Sequence, residues 1–517
     1  MSVQIECKVC RENEERLAGG TSARQLVDKL WSFCNVLRDD GVGTIDYTDQ
    51  LTYLLFLKMA EERAKNPLKP EKIVPDSCSW QRLLDADGAE LERTYNEILE
   101  TLSKETGVLG TIYRKAQNKI QDPAKLKRLI VELIDKENWS GTGVDIKGDA
   151  YEALLAKGAE DMKSGAGQYF TPRPLIAAMA DCLQLTPEDT VHDPAVGSGG
   201  FLLSAYEHVA HLTNLTPKQR THLQTRFVSG TELSNGPARL ASMNMVLHGM
   251  VSPNGQSPIE LRDSLAADTD NRYSVVMANP PFGTKSSNVV VGADGKITKS
   301  DLEITRTDFW TSTSNKQLNF IQHINTILEI NGRAAVVLPD NVLFEGGSGE
   351  TIRKRWLKEF EVHTILRLPT GIFYAGGVKA NVVFFEKRQA SSEPWTKDLW
   401  VYDLRTNMHF TQKTKPMRRT DLEEFVQAFK AGARNHRVET ERFKKFTYEE
   451  IIARDKTNLD IFWLKDDSII DAADLPAPDV IAQEIADSLQ SALNEIQAIL
   501  DGLQDGSSDS NNEDEDD

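Results

Sequence analysis

The chain has 517 residues, 40% of them hydrophobic, and a formal net charge of −18. That length allows more than one domain. A chain that wraps DNA unaided is usually basic, so work on DNA would need a partner or a local basic patch to meet the phosphates. No apolar run approaches the ~20 residues that span a bilayer, which excludes a role inside a membrane.

The stretch before Arg11 is mixed and charged, unlike a secretory signal. Five cysteines, Cys7, Cys10, Cys34, Cys78 and Cys182, form an odd, sparse set that suits a reducing cytosol without disulfides. Cys7 and Cys10 have metal-type spacing, but no second pair follows, so no metal site is expected. From about Ser22 the pattern is helical. Leu26, Leu30, Phe33 and Leu37 fall on one helical face, and Leu51, Leu54, Leu55 and Met59 on another. Trp80 to Leu102 and Leu126 to Ile134 read as further helices. Residues 1–145 are therefore expected to form an α-helical domain. A basic cluster within it (Arg114, Lys115, Lys119, Lys125, Lys127 and Arg128) reads as a solvated helix face or a DNA contact.

Near Gly148 the grammar changes. Asp149 opens an amphipathic helix ending near Gly158, followed by a glycine-rich, aromatic loop from Gly165 to Pro174. Thr171 and Pro172 suggest an N-cap and first turn for a helix over Leu175 to Leu183. From Thr190 onward, short strands alternate with helices. Strands are expected at Val191–Asp193, Phe227–Glu232, Ser274–Ala278, Ala334–Leu338, Thr364–Leu366 and Asn381–Phe385, with helices such as Ala238–Leu247 and Leu318–Leu328 between them. This alternation implies an α/β fold, a doubly wound Rossmann-like sheet spanning 146–440 with ligands at the carboxyl ends of its strands.

The region 441–504 is polar and ends in a helix near Val480 to Leu503. Its apolar stripe (Ile481, Ile485, Leu489, Leu493, Ile496, Leu500 and Leu503) could pack on a partner helix or back on its own chain. The tail, 505–517, carries seven acidic side chains, is rich in serine and is expected to be disordered. The remaining chain still sits near −11.

Three strand ends bear the chemistry. Asp193-Pro194-Ala195-Val196-Gly197-Ser198-Gly199-Gly200-Phe201 is a glycine turn after the first strand, where a backbone can approach a ligand closely. It lacks the Lys-Ser/Thr of a phosphate-gripping P-loop. Asp193 places a carboxylate where a dinucleotide site would receive a pyrophosphate. A carboxylate there suits an amine-bearing ligand, such as the methionine moiety of S-adenosylmethionine. Glu232 ends the second strand, placed to accept from ribose hydroxyls, about 39 residues after Asp193 rather than the ~20 of the NAD fingerprint. Asp263 lies before the strand leading to Asn279 and could accept from an adenine amino group; a plain surface-loop Asp fits equally.

Asn279-Pro280-Pro281-Phe282 closes that strand, since neither proline has an N–H for the ladder. The stiff exit fixes the Asn279 amide oxygen, the Pro280 carbonyl and the Phe282 ring. Two acceptors and an aromatic face suit the exocyclic amine of a flat heterocycle. A Pro-Pro loop that merely follows a strand would look the same in isolation.

Gly167 to Pro172, Asp193 to Phe201 and Asn279 to Gly283 occur in that order. Together they resemble the cofactor and catalytic motifs of the amino-group DNA methyltransferases. Over nearly the whole chain the resemblance is closest to the modification (M) subunit of type I restriction–modification systems. Leu37-Arg38, Leu55-Phe56-Leu57-Lys58, Ser314 to Gln317, Pro339 to Phe344 and Pro369 to Lys379 share in it. Arg262 departs from the small residue common before the acidic position.

The resemblance implies an N6-adenine DNA methyltransferase using S-adenosylmethionine. Gln168, Tyr169, Phe170, Thr171, Pro172 and Arg173 would fold over the cofactor. Gly197, Ser198, Gly199 and Gly200 would approach its backbone, with Asp193, Glu232 and Asp263 as further contacts. A target adenine, flipped from double-stranded DNA, would be gripped by Asn279, Pro280, Pro281 and Phe282. No Pro-Cys dipeptide occurs, which disfavours cytosine C5 chemistry. Implied partners are a specificity (S) subunit that reads the sequence, a second M subunit and restriction (R) subunits, in the cytoplasm of a bacterium or archaeon. The C-terminal helix would contact S. A stand-alone methyltransferase, a non-catalytic scaffold subunit and N4-cytosine as target are the alternatives the sequence leaves open.

Overall fold

The computed structural model describes residues 21–38, 42–66, 70–139, 151, 153, 171–212, 214–252, 255–282, 287–291, 297–301, 303–373, 378–411 and 415–465. Cys7, Cys10, Gln168, Tyr169, Phe170, most of the helix expected from Asp149, the C-terminal stripe and the acidic tail lie outside the described residues.

The N-terminal part is helical. In α1 (Thr21–Arg38) the buried stripe is Leu26, Leu30, Cys34 and Leu37, with Phe33 only partly buried at its edge. Helix α2 (Thr44–Ala64) is buried continuously from Leu51 to Leu57, which makes it the centre of this part rather than a one-faced surface helix. The single helix expected over Trp80 to Leu102 is two, α3 (Trp80–Asp85) and α4 (Gly88–Leu102). Asp87 breaks it by accepting the Gly88 N–H, and Gly88 takes φ +52°. Helices α5 (Gly107–Tyr113) and α6 (Pro123–Arg128) follow, and α6 runs on into a π-helical turn over Leu129–Ile134. Lys127 of the basic cluster is committed to structure, donating to the Leu84 and Ala86 carbonyls.

The second part is built on one nine-stranded sheet. Its elements, in chain order, are α7 (Arg173–Leu183), β1 (Val191–Asp193), α8 (Gly200–Ala210), α9 (Pro217–Thr225), β2 (Val228–Glu232), α10 (Asn235–Leu247), β3 (Ile259–Leu261) and β4 (Tyr273–Ala278). A separate hairpin, β5 (Ser287–Val291) and β6 (Ile297–Asp301), comes next. Then follow α11 (Lys316–Ile327), β7 (Leu328–Pro339), α12 (Asp340–Phe344), α13 (Ser348–Glu359), β8 (Phe360–Arg367), β9 (Ala380–Lys387), β10 (Asp398–Asp403), α14 (Glu423–Phe429), β11 (Phe443–Thr447) and α15 (Tyr448–Ile452). The strand order is β11-β10-β8-β9-β7-β4-β1-β2-β3. The sheet is mixed: β9 runs antiparallel to both β7 and β8, and β11 antiparallel to β10. Beyond residue 440, β11 still belongs to it.

Both faces of the sheet are covered, as in a doubly wound fold. Val275 and Met277 of β4 join one apolar cluster with α7, α8 and α10, while Val276 and Ala278 join another with α11 and α13. Strand β1 lies between β2 and β4, so successive strands leave it in opposite directions. That reversal opens a crevice outside the carboxyl ends of β1 and β4, the usual ligand position of such sheets.

Helix α10 ties the helical part to the sheet. Arg239 donates to the Ile112 carbonyl (2.7 Å) and the Arg114 carbonyl (3.0 Å), pairs with Asp49, and lies over the Tyr53 ring at 4.8 Å. Among the described residues, no helix is long and apolar enough to cross a membrane.

Candidate active site

Asp193, at the end of β1, is fully buried. One carboxyl oxygen accepts the Ala195 N–H at 2.9 Å, and the other, Oδ2, is buried with no partner. Burial pushes its pKa up to about 8, and the neighbouring Glu232 adds to the rise. The turn that follows needs glycine. Gly197 and Gly199 take φ +55° and +86°, and a Cβ on Gly199 would meet the Ala241 Cβ of α10 at 3.3 Å. Behind the turn, a Cβ on Gly230 would fall 2.1 Å from the Val196 side chain.

Glu232, ending β2, holds this turn in place. Its Oε2 accepts the Gly197 N–H (3.0 Å) and its Oε1 the Ser234 N–H (2.9 Å). Burial raises its pKa against the pull of those amides. The carboxylate still has acceptor capacity for a ligand donor. Asp263 sits past the end of β3, exposed, with Oδ1 accepting the Leu265 N–H at 2.9 Å. The adjacent Ser264 hydroxyl donates to the Pro194 carbonyl at 2.6 Å, which fastens this loop to the Asp193 turn. Arg262 turns to Glu260 instead.

The approach to α7 differs from the sequence expectation. Helix α7 starts at Arg173 with Pro172 in the N-cap position and no side-chain cap. Pro174 is the proline inside the first turn, so the cap motif is displaced by one residue and the Thr171 hydroxyl is not used for it. Thr171 instead accepts from the Asn279 amide nitrogen at 3.0 Å. The Arg173 guanidinium donates to the Gly200 carbonyl, locking α7 to the glycine turn.

Asn279 is the first residue beyond β4. With its nitrogen on Thr171, its Oδ1 is buried and has no partner. Pro280 is buried, and Pro281 and Phe282 are half-buried. The register of β1 against β4 (His192 with Val276) puts the Asp193 and Asn279 strand ends side by side at the crevice. Phe282 meets Phe373 edge to face, with ring centroids 5.7 Å apart.

A family model described as N-6 DNA Methylase matches residues 142–463, and one described as the HsdM N-terminal domain matches residues 26–133. The methylase subunit of the type I restriction enzyme StySJI from Salmonella typhimurium is 38% identical over 521 residues, covering 92% of this chain and 94% of that one. The EcoKI methylase subunit of Escherichia coli is also 38% identical, with the same coverage. The chain belongs to the N-6 DNA methylase family of type I restriction enzymes.

It is an adenine-specific DNA methyltransferase of the modification-subunit type. Among solved structures, the EcoKI M protein is similar over 93% of this chain and 96% of its own, at 33% identity and a TM-score of 0.51. A modification subunit from Vibrio vulnificus matches 83% of this chain and 93% of its own at 25% identity, with a TM-score of 0.66.

In this methylase, three residues join the site that sequence reasoning did not single out for these places. Thr171 was grouped with the cofactor loop, and its tie to Asn279 spans 108 residues. Phe373 belongs to the Pro369 to Lys379 stretch that shares in the family resemblance. Leu233, directly after Glu232, is 69% exposed, an apolar side chain beside the end of β2; a large exposed leucine beside a strand-end acid is a signal legible once the strand is known. The motif from Pro339 also acquires a physical role. Asp340, at the end of β7, takes two bonds from Arg405 (2.7 and 2.8 Å), and Arg405 also donates to the Leu368 and Ala380 carbonyls. One guanidinium thus bolts the ends of β7, β8 and β10 and the start of β9 under the loop that carries Phe373.

Proposed function

We propose that this subunit transfers a methyl group from S-adenosylmethionine to the N6 amine of an adenine flipped out of double-stranded DNA. The observation that carries the reading is the pair of buried, unpartnered acceptors at neighbouring strand ends, Asp193 Oδ2 and Asn279 Oδ1. A buried acceptor left without a donor costs about 1–3 kcal/mol. Two such atoms in one crevice are a site built to receive N–H groups.

Asp193 suits the ammonium of the methionine moiety, Glu232 the ribose hydroxyls, and Leu233 and Asp263 the apolar face and amino edge of the cofactor's adenine. Gly197 to Gly200 leave room for close approach, and the Gln168 to Arg173 motif is assigned to cofactor contact. When bound, the cofactor would supply a methyl group on a sulfonium: the target nitrogen would bond to that carbon in line as the sulfur left with the bond pair as a neutral thioether, and the nitrogen would then lose one proton to water. Asn279 Oδ1 and the Pro280 carbonyl accept from the two N6 hydrogens. This raises electron density on that nitrogen and aims its lone pair. Pro281 stiffens the exit from β4, and Phe282 stacks on the base. Positioning and polarisation carry the rate.

The acidic charge fits a subunit that does not read DNA by itself. We place it with a specificity subunit, a second modification subunit and restriction subunits, in the cytoplasm, where methylation shields host DNA. Residues 1–145 serve as a helical domain, the methyltransferase domain runs from 146 past 440 through β11, and the chain beyond it is offered to the specificity subunit, with 505–517 an acidic tail. Incubation with methyl-tritiated S-adenosylmethionine and DNA tests this. Label is expected in N6-methyladenine when the specificity subunit is added. Sequence-specific transfer by the chain alone would instead support a stand-alone enzyme. Calorimetry showing no cofactor binding would overturn the reading.

A further inference from the structure

We propose that Thr171 is the positioning residue for the catalytic amide, holding the nitrogen end of Asn279 so that its oxygen end faces the target amine. This rests on the reading of Asn279 as the amine acceptor. An asparagine amide is nearly symmetric in shape but opposite in chemistry at its two ends. Rotated by half a turn, it would present NH2 to an amine that itself donates, and the grip would become a repulsion. A partner that accepts from the nitrogen end leaves the oxygen end for the amine.

Thr171 is that partner. Its hydroxyl oxygen lies 3.0 Å from Asn279 Nδ2 and accepts from it, while Oδ1 stays buried and without a bond. The hydroxyl is held firmly. Pro172 follows it directly, Pro174 stiffens the first turn of α7, and Arg173 is anchored on the Gly200 carbonyl. The first turn of α7 is thus joined to the glycine turn by one bond and to the base grip by another.

The subunit assembled with its specificity partner provides the test. Single-turnover methyl transfer, at saturating S-adenosylmethionine and DNA, is compared for wild type, T171V and T171S, with cofactor Kd measured by calorimetry. T171V keeps the shape and removes the hydroxyl. It is expected to slow transfer about 10- to 100-fold while cofactor Kd stays within about threefold. T171S, which keeps the hydroxyl, is expected to restore transfer to within about threefold of wild type. A T171V enzyme with wild-type transfer, or a T171S enzyme as slow as T171V, overturns the proposal. So does a T171V defect confined to cofactor Kd. N279A separates the two levels: full transfer in that variant removes the underlying reading of Asn279, whereas a dead N279A beside an unimpaired T171V removes only the role of Thr171.

Discussion

At the scale of single residues, Asp193 carries the plainest conflict between stability and use. An unfolded aspartate titrates near 4, and burial lifts Asp193 to about 8. A folded pKa above the unfolded one gives stability that is complete below about pH 4 and is lost as pH rises toward 8. The unliganded fold is therefore penalised at neutral pH by the group proposed to hold its ligand. D193N removes the ionisable group and keeps the size. Its Tm without ligand is expected to exceed that of wild type at pH 8 and to converge with it near pH 4. Its affinity for S-adenosylmethionine is expected to fall at least about tenfold, since an amide oxygen accepts from an ammonium without the charge that strengthens the bond. Scanning fluorimetry across pH and calorimetry check the two halves. A Tm difference that does not change with pH would contradict the account of Asp193.

At the scale of elements, α10 does two jobs at once. Its Ala241 fills the space against Gly199, and its Asn244 reaches the Ser198 carbonyl at 3.4 Å. Its Arg239 is clamped into the helical part with a side chain only 5% exposed, against 17% for Asp49. Removing one partner of such a buried pair leaves an uncompensated charge, a loss of about 3–5 kcal/mol. R239A is expected to lower the denaturant midpoint accordingly. The double variant R239M/D49L, which leaves no lone charge, is expected to recover part of that loss. Urea unfolding of the two variants measures this; equal destabilisation in both would show that packing rather than charge pairing dominates.

Element scale is also where sequence reading did well and then failed. The strands ending at Asp193, Glu232 and Ala278 were legible because β-rich apolar runs stop at acids, glycines or prolines, which are local signals. The direction of β9 was not legible: Ala380 to Phe385 is buried on both faces, and a continuous apolar run carries no mark of which way it runs. The break at Asp87–Gly88 is a cap whose helical pattern continues on either side, so periodicity alone ran through it. Thr171 was misread for a different reason. Its neighbours promised a helix cap, but a hydroxyl takes whichever partner the fold supplies, and Asn279 is brought there only by the sheet.

Across the whole molecule, the strand order explains why distant motifs work together. The topological reversal at β1 and β4 sets an acid-lined half of the crevice, Asp193 and Glu232, beside an amide and aromatic half, Asn279, Phe282 and Phe373. One half fits a cationic donor of methyl, the other a base with an exocyclic amine. The net charge of −18 accords with the proposal that DNA reading is delegated to a partner. The central claim is that the Asn279 amide activates the target nitrogen without holding the cofactor. Methyl transfer by N279A, measured in the assembled enzyme beside its cofactor Kd, tests this most directly. The account predicts that transfer falls by at least about 100-fold while cofactor Kd stays within about threefold of wild type. Wild-type transfer by N279A, or a loss explained wholly by weaker cofactor binding, would contradict it.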